Sequence, residues 1–575
     1  MNLTGAQIVC ESLIKEGVEV MFGIPGGVLL PFCDTLPQYP QIRYILVRHE
    51  QGAAHSADGY ARASDKPGVC FATSGPGATN LVTGIANAYL DSVPIIAITG
   101  QVSRPFIGKD AFQEIDITGI TLPITKHNYL VLRADELAGV IKEAFYIATT
   151  GRPGPVLIDI PKDVFTEQAD FHYPAKVNIP GYKPTLRGHP AQIKKAARLI
   201  NNATRPVIIA GHGINISHAY EELKELAEKA QIPVITTLLG IGSFPENHFL
   251  SLGMLGMHGM AYANLAVDNA DLLIAIGMRF DDRATAEVSG FAPNAQVIHI
   301  DIDPAEIGKN VVVDVPIVGD CRNILRELNK QVTSQNRPEW IRRLEDWQRE
   351  HPSTYIRDCE ELIPQYVIRS ISEITDGNAI IVTGVGQHQM WAAQHYCYKK
   401  PNNLISSGGL GTMGFDLPAA IGAKIARPDE TVWSISGDGS FQMTMQEMGT
   451  IAQEKTAVKI AVMNNGFLGM VRQWQEFFYG RRYVATPLLG PDFVKIAEAY
   501  NIPGLRVKSK SEVIPAIQKA MEYEGPFLID FMIKPEENLY PMVPPGASLT
   551  EIIEEPRIET VCTALEGLSF QGKSR

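Results

Sequence analysis

Short apolar, β-branched runs that close on glycine recur along the chain, each followed by a stretch with helical spacing. VCFATSGPG (69–77), PVLIDIP (155–161), PVIIAGHG (206–213), LLIAIG (272–277), QVIHIDID (296–303), AIIVTGVG (379–386), TVWSISGDG (431–439) and VKIAVMNNG (458–466) are the clearest. Apolar and polar positions do not alternate strictly within them, so both faces of each predicted strand are covered. That is the pattern of parallel sheets wrapped by helices. The expected fold class is α/β, with three consecutive doubly wound parallel-sheet domains. Two stretches break the rhythm: 166–187, which carries Pro174, Pro180 and Pro184, and 331–359, which is charged and polar with helical character. Both read as linkers, leaving units at 1–165, 188–330 and 360–545 and a tail at 546–575. At the start, Thr4 and Gln7 predict a capping box ahead of an amphipathic run to Glu16, with Gly17 as its stop.

The bulk composition narrows the classes. Of 575 residues, 45% are hydrophobic and 20% charged, the balance of a globular protein. A net charge of −12 argues against a nucleic-acid surface spread over the chain, while leaving room for a local basic pocket. Cys10, Cys33, Cys70, Cys321, Cys359, Cys397 and Cys562 are scattered without a C-x-x-C pair, as expected of reduced thiols. The longest apolar runs are strand-length, so no membrane span is expected. With neither a signal nor a transit pattern at the start, the expected location is cytoplasmic, in a bacterial cell.

Ligands of open parallel sheets bind beyond the carboxyl ends of the strands. In the third unit, SGDGSFQMTMQEM begins at Ser436 and AVMNNGFLGM at Ala461. Asp438 closes one predicted strand and Asn465 the next, with Met443 to Glu454 as the crossover helix. Parallel pairing then brings both side chains to one sheet edge. A carboxylate and an amide oxygen are hard ligands suited to Mg²⁺ or Ca²⁺, and Mg²⁺ fills its remaining positions with phosphate oxygens and water. Gly437 and Gly439 let backbone amides approach such phosphates, and the following helix offers its positive end. Singly, Gly-Asp-Gly and Asn-Asn-Gly are turn formers. On consecutive strands they resemble the signature of thiamine-diphosphate-dependent enzymes.

That resemblance implies thiamine diphosphate and Mg²⁺ as cofactors, with Asp438, Asn465 and the backbone carbonyl of Phe467 on the metal. It also implies a cofactor seat that includes Gly27, Val385, Gly386, Gln387, His388 and Gly411. Gly437, Gly439, Ser440, Leu468, Gly469 and Met470 complete it. Met413, in GGLGTMGFDLPAAIGA (408–423), matches the side chain wedged under the bent cofactor. The first unit offers RHEQGAAHSADGYAR (48–62), where Glu50 follows the predicted strand IRYILV and opens a helix. A glutamate there is ordinarily a capping charge. Followed by GPGATN (75–80), it is similar to the activating-glutamate motif, the acid that drives the aminopyrimidine to its imino form. Glu50 and Asp438 lie in different units. The resemblance implies a cofactor shared between the pyrimidine-binding first unit of one subunit and the diphosphate-binding third unit of its partner. The implied assembly is a homodimer or tetramer with active sites at the interface.

Nearly the whole chain resembles the catalytic large subunits of the acetohydroxyacid (acetolactate) synthases. FGIPGG (22–27), IGKDAFQE (107–114), GRPGPVLIDIPKDV (151–164), LGMLGMHG (252–259), MRFDDRAT (278–285), HIDIDPAEIGKN (299–310) and GMVRQWQ (469–475) carry the likeness. Such enzymes decarboxylate pyruvate and transfer the hydroxyethyl carbanion to pyruvate or 2-ketobutyrate. The products are 2-acetolactate or 2-aceto-2-hydroxybutyrate, on the way to valine, leucine and isoleucine. A separate small regulatory subunit is implied as a further partner. MRFDDRAT is similar to their flavin mark, which makes the middle unit FAD-binding, with no net redox role. Gly211, Gly213 and Gly277 would let backbone approach the dinucleotide, and Arg152 and Arg279 suit its phosphates. Asp301 and Asp320 fall at ribose or adenine. The same likeness brings in His212, Thr236, Leu255, Met257 and His258, then Asp281, Arg283, Ile302, Glu306 and Ile307.

For the acceptor, Arg283 matches the carboxylate-binding arginine and Trp474 the tryptophan that favours 2-ketobutyrate. Phe112, Gln113, Lys162, Met257, Val385 and Met470 would line the same pocket. The chain departs from many members at Ser103, where they have proline, and at Val28, where they have alanine; neither bears on the reaction. Other readings stay open at this point. Glyoxylate carboligase lacks the glutamate, and the catabolic acetolactate synthase lacks the flavin mark. A pyruvate oxidase would use FAD for redox, and a binding protein would carry a degenerate site.

Overall fold

The computed structural model describes residues 1–556; the rest of the tail, with Cys562, lies outside the described residues. Among these residues the fold is α/β, with three parallel sheets of six strands each. The first sheet runs, in spatial order, Arg43–Leu46, Val20–Ile24, Gly68–Ala72, Ile95–Gln101, Val156–Pro161, His127–Leu130. The third runs Leu404–Ser406, Ile380–Thr383, Val432–Gly437, Val458–Asn464, Phe527–Met532, Gly504–Val507. Renumbered within each unit, both have the order 2-1-3-4-6-5. The middle sheet differs. Its order, from Ser251–Met254 through Val234–Thr236, Pro206–Ala210, Leu272–Ile276 and Gln296–Asp301 to Val315–Val318, is 3-2-1-4-5-6. That is the order of dinucleotide-binding folds, whose ligand crosses the edge where strands 1 and 4 part. Strands 1 and 3 part in the outer sheets in the same sense.

Central strands such as Ile95–Gln101 and Leu272–Ile276 are buried along their whole length, which is why their sequences lack alternation. The predicted capping box forms: Thr4 accepts from the Gln7 amide and opens the helix Gly5–Lys15. Gln168–Asp170 pairs antiparallel with Asn2–Thr4, so the start of the stretch 166–187 is stitched to the N-terminus. The stretch 331–359 does more than span. Its helix Pro338–Glu350 buries Trp340, Leu344 and Trp347 among middle-unit residues such as Val207 and Leu273. Arg337 donates to the carbonyls of Ile200, Ala203 and Ala230, at the ends of Pro190–Asn202 and Tyr220–Ala230. It satisfies the orphan carbonyls that helix ends leave.

The helices Glu50–Ser64 and Asp416–Ala426 cross in the closest approach between the outer units. A Cβ on Gly59 would stand 2.1 Å from the Ala419 oxygen, and one on Gly422 would stand 1.9 Å from the Ser56 oxygen, so both positions require glycine. Among the described residues no helix is long and apolar enough to cross a membrane.

Candidate active site

Gly437 pairs with Met463 at the end of the third sheet, which puts Asp438 and Asn465 side by side just beyond it. Asp438 accepts from the Gly466 amide at 3.1 Å, and Asn465 Oδ1 from the Phe467 amide at 3.0 Å. The crossover differs from the predicted single helix starting at Met443. A helix already opens at Asp438 and runs to Thr444, a 3₁₀ turn covers Met445–Glu447, and a second helix follows at Met448–Glu454. The early start gives the amides after Gly437 the anion-facing geometry of a helix N-terminus.

The surroundings form a cradle around this edge. A Cβ on Gly437 would meet His388 Nδ1 at 2.8 Å, one on Gly439 would meet Leu468 at 2.8 Å, and one on Gly469 would meet Gln387 Oε1 at 2.2 Å. His388 Nε2 is buried without a partner. Burial pushes the Asp438 carboxyl up to about 7, a cost that a cation beside it removes. Ser440 accepts from the Gly414 amide at 2.9 Å and donates to Asp416 at 3.1 Å, which fixes the loop carrying Met413. Hard oxygens, a helix N-terminus and an orphaned imidazole nitrogen together fit a metal-bound diphosphate.

A cavity of about 750 Å³ joins the carboxyl ends of the middle and third sheets. Gly213 and Gly277 lie on its wall where middle strands 1 and 4 part, and Gly277 has φ +62°. Gly211 stands behind them, where a Cβ would meet the Gly277 oxygen at 2.2 Å. From the middle unit the cavity also takes His212, Leu255, Met257, His258, Arg279, Asp281 and Arg283, and from its far end Asp301, Ile302, Glu306 and Asp320. Arg152 reaches in from the first unit. The third unit supplies Val385, Gly386, Gly411, Met413, Met470 and Trp474. In the helix Gly469–Phe478, Met470 and Trp474 share a face four positions apart. The buried Arg472 and Gln473 on another face donate to the carbonyls of Glu537 and Leu539.

Two middle-unit candidates miss this wall. Thr236 turns its hydroxyl back to the Gly253 carbonyl at 3.5 Å, and the next residue, Thr237, lines the cavity instead. Ile307 is also off the wall, one position beyond Glu306. Arg152 is engaged by Asp303 at 3.2 Å and Glu306 at 2.7 Å, and Arg279 faces Asp281 at 3.6 Å. Arg283 Nη1 lies 3.5 Å from Met257 Sδ and 3.7 Å from the exposed Asp282 carboxylate, with its own side chain 60% exposed, so it is held loosely enough to take a carboxylate. His212 and His258 are each lowered to about 4, first by burial, and stay neutral. Asp301 is pushed up to about 7 by burial. Trp474 Nε1 is buried without a partner.

The remaining candidates gather elsewhere. Gly27, Glu50, Phe112, Gln113 and Lys162 all follow strands of the first sheet, and none lines the cavity. Glu50 opens its helix behind the cap His49 and accepts from Asn80 Nδ2 at 2.9 Å. Gly75, with φ +65°, lies under Gln113. Phe112 is 88% exposed. Asp438 and Asn465 do not line the cavity either, so the group around Glu50 and the clamp at the end of the third sheet make two half-sites of candidate residues, on different sheets.

Sequence reasoning missed a buried network behind this cavity. Arg62 pairs with Asp58 at 2.6 Å and Asp91 at 2.8 Å. Asp91 also accepts the amides of Gly408 at 3.1 Å and Gly409 at 2.6 Å, just ahead of Gly411 and Met413. The arginine in DGYAR was a usable signal, because it follows an aspartate four positions earlier on a helix rich in alanine and glycine.

Comparison with known proteins accords with these features. Residues 3–120, 193–328 and 384–531 match, in turn, the N-terminal TPP binding, central and C-terminal TPP binding domains of thiamine pyrophosphate enzymes. The acetolactate synthase of Mycobacterium bovis is 52% identical over 564 residues, covering 96% of this chain and 91% of its own. The acetolactate synthase large subunit of Corynebacterium glutamicum is 50% identical over 563 residues, 96% of this chain and 90% of its own. A probable acetolactate synthase large subunit of Methanocaldococcus jannaschii is 50% identical over 570 residues, 97% of this chain and 96% of its own. The chain belongs to the acetolactate synthase large subunits of the thiamine pyrophosphate enzyme family.

Proposed function

We propose that the chain is the catalytic subunit of an acetohydroxyacid synthase. It decarboxylates pyruvate and joins the two-carbon unit to pyruvate or 2-ketobutyrate, giving 2-acetolactate or 2-aceto-2-hydroxybutyrate for branched-chain amino-acid synthesis. The observation that carries this reading over a simple decarboxylase is the continuous cavity. It places Arg283, an exposed cation paired only at 3.7 Å with Asp282, on the same wall as Met413, Met470 and Trp474. A second keto acid needs such a cation for its carboxylate and apolar walls for its alkyl group.

Thiamine diphosphate, when bound, supplies the nucleophile and electron sink for decarboxylation. The side chains Asp438 and Asn465 and the Phe467 carbonyl would hold Mg²⁺, which would neutralise the diphosphate, with Gly437, Gly439, His388 and Ser440 beside it. Glu50 holds the proton that the aminopyrimidine ring exchanges. Gln113, Phe112, Lys162 and Gly27, from the same unit as Glu50, would face the reacting end. Arg152 and Arg279, with Gly213 and Gly277 at the 3-2-1-4-5-6 switch point, would hold FAD, which would serve as a structural group with no net redox role. Glu50 and Asp438 follow strands of different sheets, which supports a homodimer or tetramer in which each site takes Glu50 from one subunit and Asp438 from its partner. The units 1–165, 188–330 and 360–545 then serve as pyrimidine-binding, FAD-binding and diphosphate-binding domains, in a cytoplasmic enzyme with a separate small regulatory subunit.

Product analysis tests this. With thiamine diphosphate, Mg²⁺ and FAD, pyruvate alone gives acetolactate, and added 2-ketobutyrate diverts product to acetohydroxybutyrate. Acetate or acetaldehyde as the sole product excludes the assignment. Trp474→Leu is expected to lower the preference for 2-ketobutyrate by about tenfold, the scale of one methylene contact in a pocket. Pyruvate decarboxylation stays largely intact. A competition assay with an unchanged product ratio would remove Trp474 from this role.

A further inference from the structure

Between the two half-sites lies a carboxylate to which none of the roles above applies. Glu447 is fully buried at the join of the outer units. It belongs to the crossover that starts at Asp438, yet its oxygens face the first unit. Oε1 accepts the backbone amides of Arg48 and His49, each at 3.0 Å. Oε2 accepts from Thr450 Oγ1 at 2.7 Å. These two amides immediately precede Glu50, at the N-terminus of the helix Glu50–Ser64. An extended stretch at a helix start has amides that nothing within the helix satisfies, and a carboxylate is their best partner.

The neighbouring contacts run in the same sense. Arg48 donates to the Gly449 carbonyl and to Gln453, each at 3.0 Å, and Thr450 reaches the Leu46 carbonyl at 3.3 Å. Gly52 has no side chain where one would collide: a Cβ there would stand 2.6 Å from Glu447 Oε1. The turn between the strand Arg43–Leu46 and the helix is thus held by a side chain of another unit in addition to its own His49 cap.

We propose that Glu447 is a positioning residue for Glu50. It holds the peptides of Arg48 and His49, so the acid lent to one active site is anchored on the crossover that carries the other site's clamp. The proposal rests on the reading of Glu50 as the activating acid. Glu447 touches neither cofactor nor substrate in this scheme and acts through the backbone alone.

The test follows exchange of the cofactor's C2 proton for deuterium, with Glu50→Gln as the reference. Glu447→Ala should slow exchange about a hundredfold, the scale of an ångström-sized misplacement of a catalytic group. FAD content and the KM for pyruvate stay near wild type. Glu447→Gln, whose amide oxygen still accepts both amides, should recover most of the rate. In the protein without cofactor, the Arg48 and His49 amides should lose protection from hydrogen exchange in Glu447→Ala. Gly52→Ala, which pushes the carboxylate off from the other side, should slow C2 exchange alone and add nothing to Glu447→Ala. It also decides the matter if Glu447→Ala does not fold. Wild-type exchange in Glu447→Ala or Gly52→Ala, with Glu50→Gln slow, overturns the proposal. A Glu447→Gln rate as low as that of alanine also overturns it. An unchanged Glu50→Gln rate instead overturns the role of Glu50.

Discussion

Glu50→Gln is expected to slow the deprotonation of the cofactor, and with it turnover, by about 10²–10⁴-fold, the range contributed by a positioned acid–base group. The substitution keeps the shape. Asn80 Nδ2 donates to Glu50 Oε2 at 2.9 Å, and a glutamine oxygen accepts the same bond. The helix start is held by His49 and Glu447 rather than by the Glu50 side chain, so the backbone should not move. What is lost is a group that can give up and retrieve a proton in a site where Glu50 is only 8% exposed. C2 hydrogen exchange by NMR isolates this step from later ones. Exchange at the wild-type rate with an intact fold would mean that another group activates the ring.

Asp438→Asn should act at a different stage, on retention of the cofactor. Loss even of a group that only supports a metal ligand costs about 10–100-fold in affinity, so loss of a direct ligand should cost at least about a hundredfold. The signature is thermal. Thiamine diphosphate with Mg²⁺ at a hundred times its Kd stabilises the wild type by about 2.7 kcal/mol, and the variant should lose that increment. The protein without cofactor should behave in the opposite sense. Burial raises the Asp438 carboxyl to about 7, above its unfolded value, so its charge opposes folding progressively as pH rises past the unfolded pKa. A neutral asparagine relieves that cost, and the cofactor-free variant should melt no lower than wild type above neutral pH. A variant that still gains its full Tm shift from thiamine diphosphate and Mg²⁺ would exclude Asp438 as a ligand.

Local chemistry in the sequence went far toward both half-sites. Strand ends punctuated by Gly-Asp-Gly and Asn-Asn-Gly, and a glutamate opening a helix behind His49, are short-range features whose geometry depends on a few neighbouring residues. The glycines of the middle unit were equally visible. Their expected dinucleotide role came from the resemblance and not from spacing, because strand order is a long-range property: the runs 206–213 and 272–277 look alike whether their strands are neighbours or not. The switch from 2-1-3-4-6-5 in the outer sheets to 3-2-1-4-5-6 in the middle one emerges only from pairing. Thr236 and Thr237 show a finer limit, since a step of one residue at a strand end decides which hydroxyl meets the cavity. The crossover was misjudged for a related reason. Gly439 and Ser440 are poor helix formers, yet the helix starts there because strand end and clamp demand it. Glu447 and Arg337 lay beyond reach, because each is buried by partners far away in the chain.

The central claim is that Glu50 and Asp438 of one chain serve different active sites. Glu50→Gln and Asp438→Asn subunits, each nearly inactive alone, can be mixed and reassociated and assayed for acetolactate. Random pairing makes half the dimers mixed, each with one site intact and one doubly defective, so about a quarter of wild-type activity should return. A mixture that stays as inactive as its separate components would show instead that each chain completes its own site.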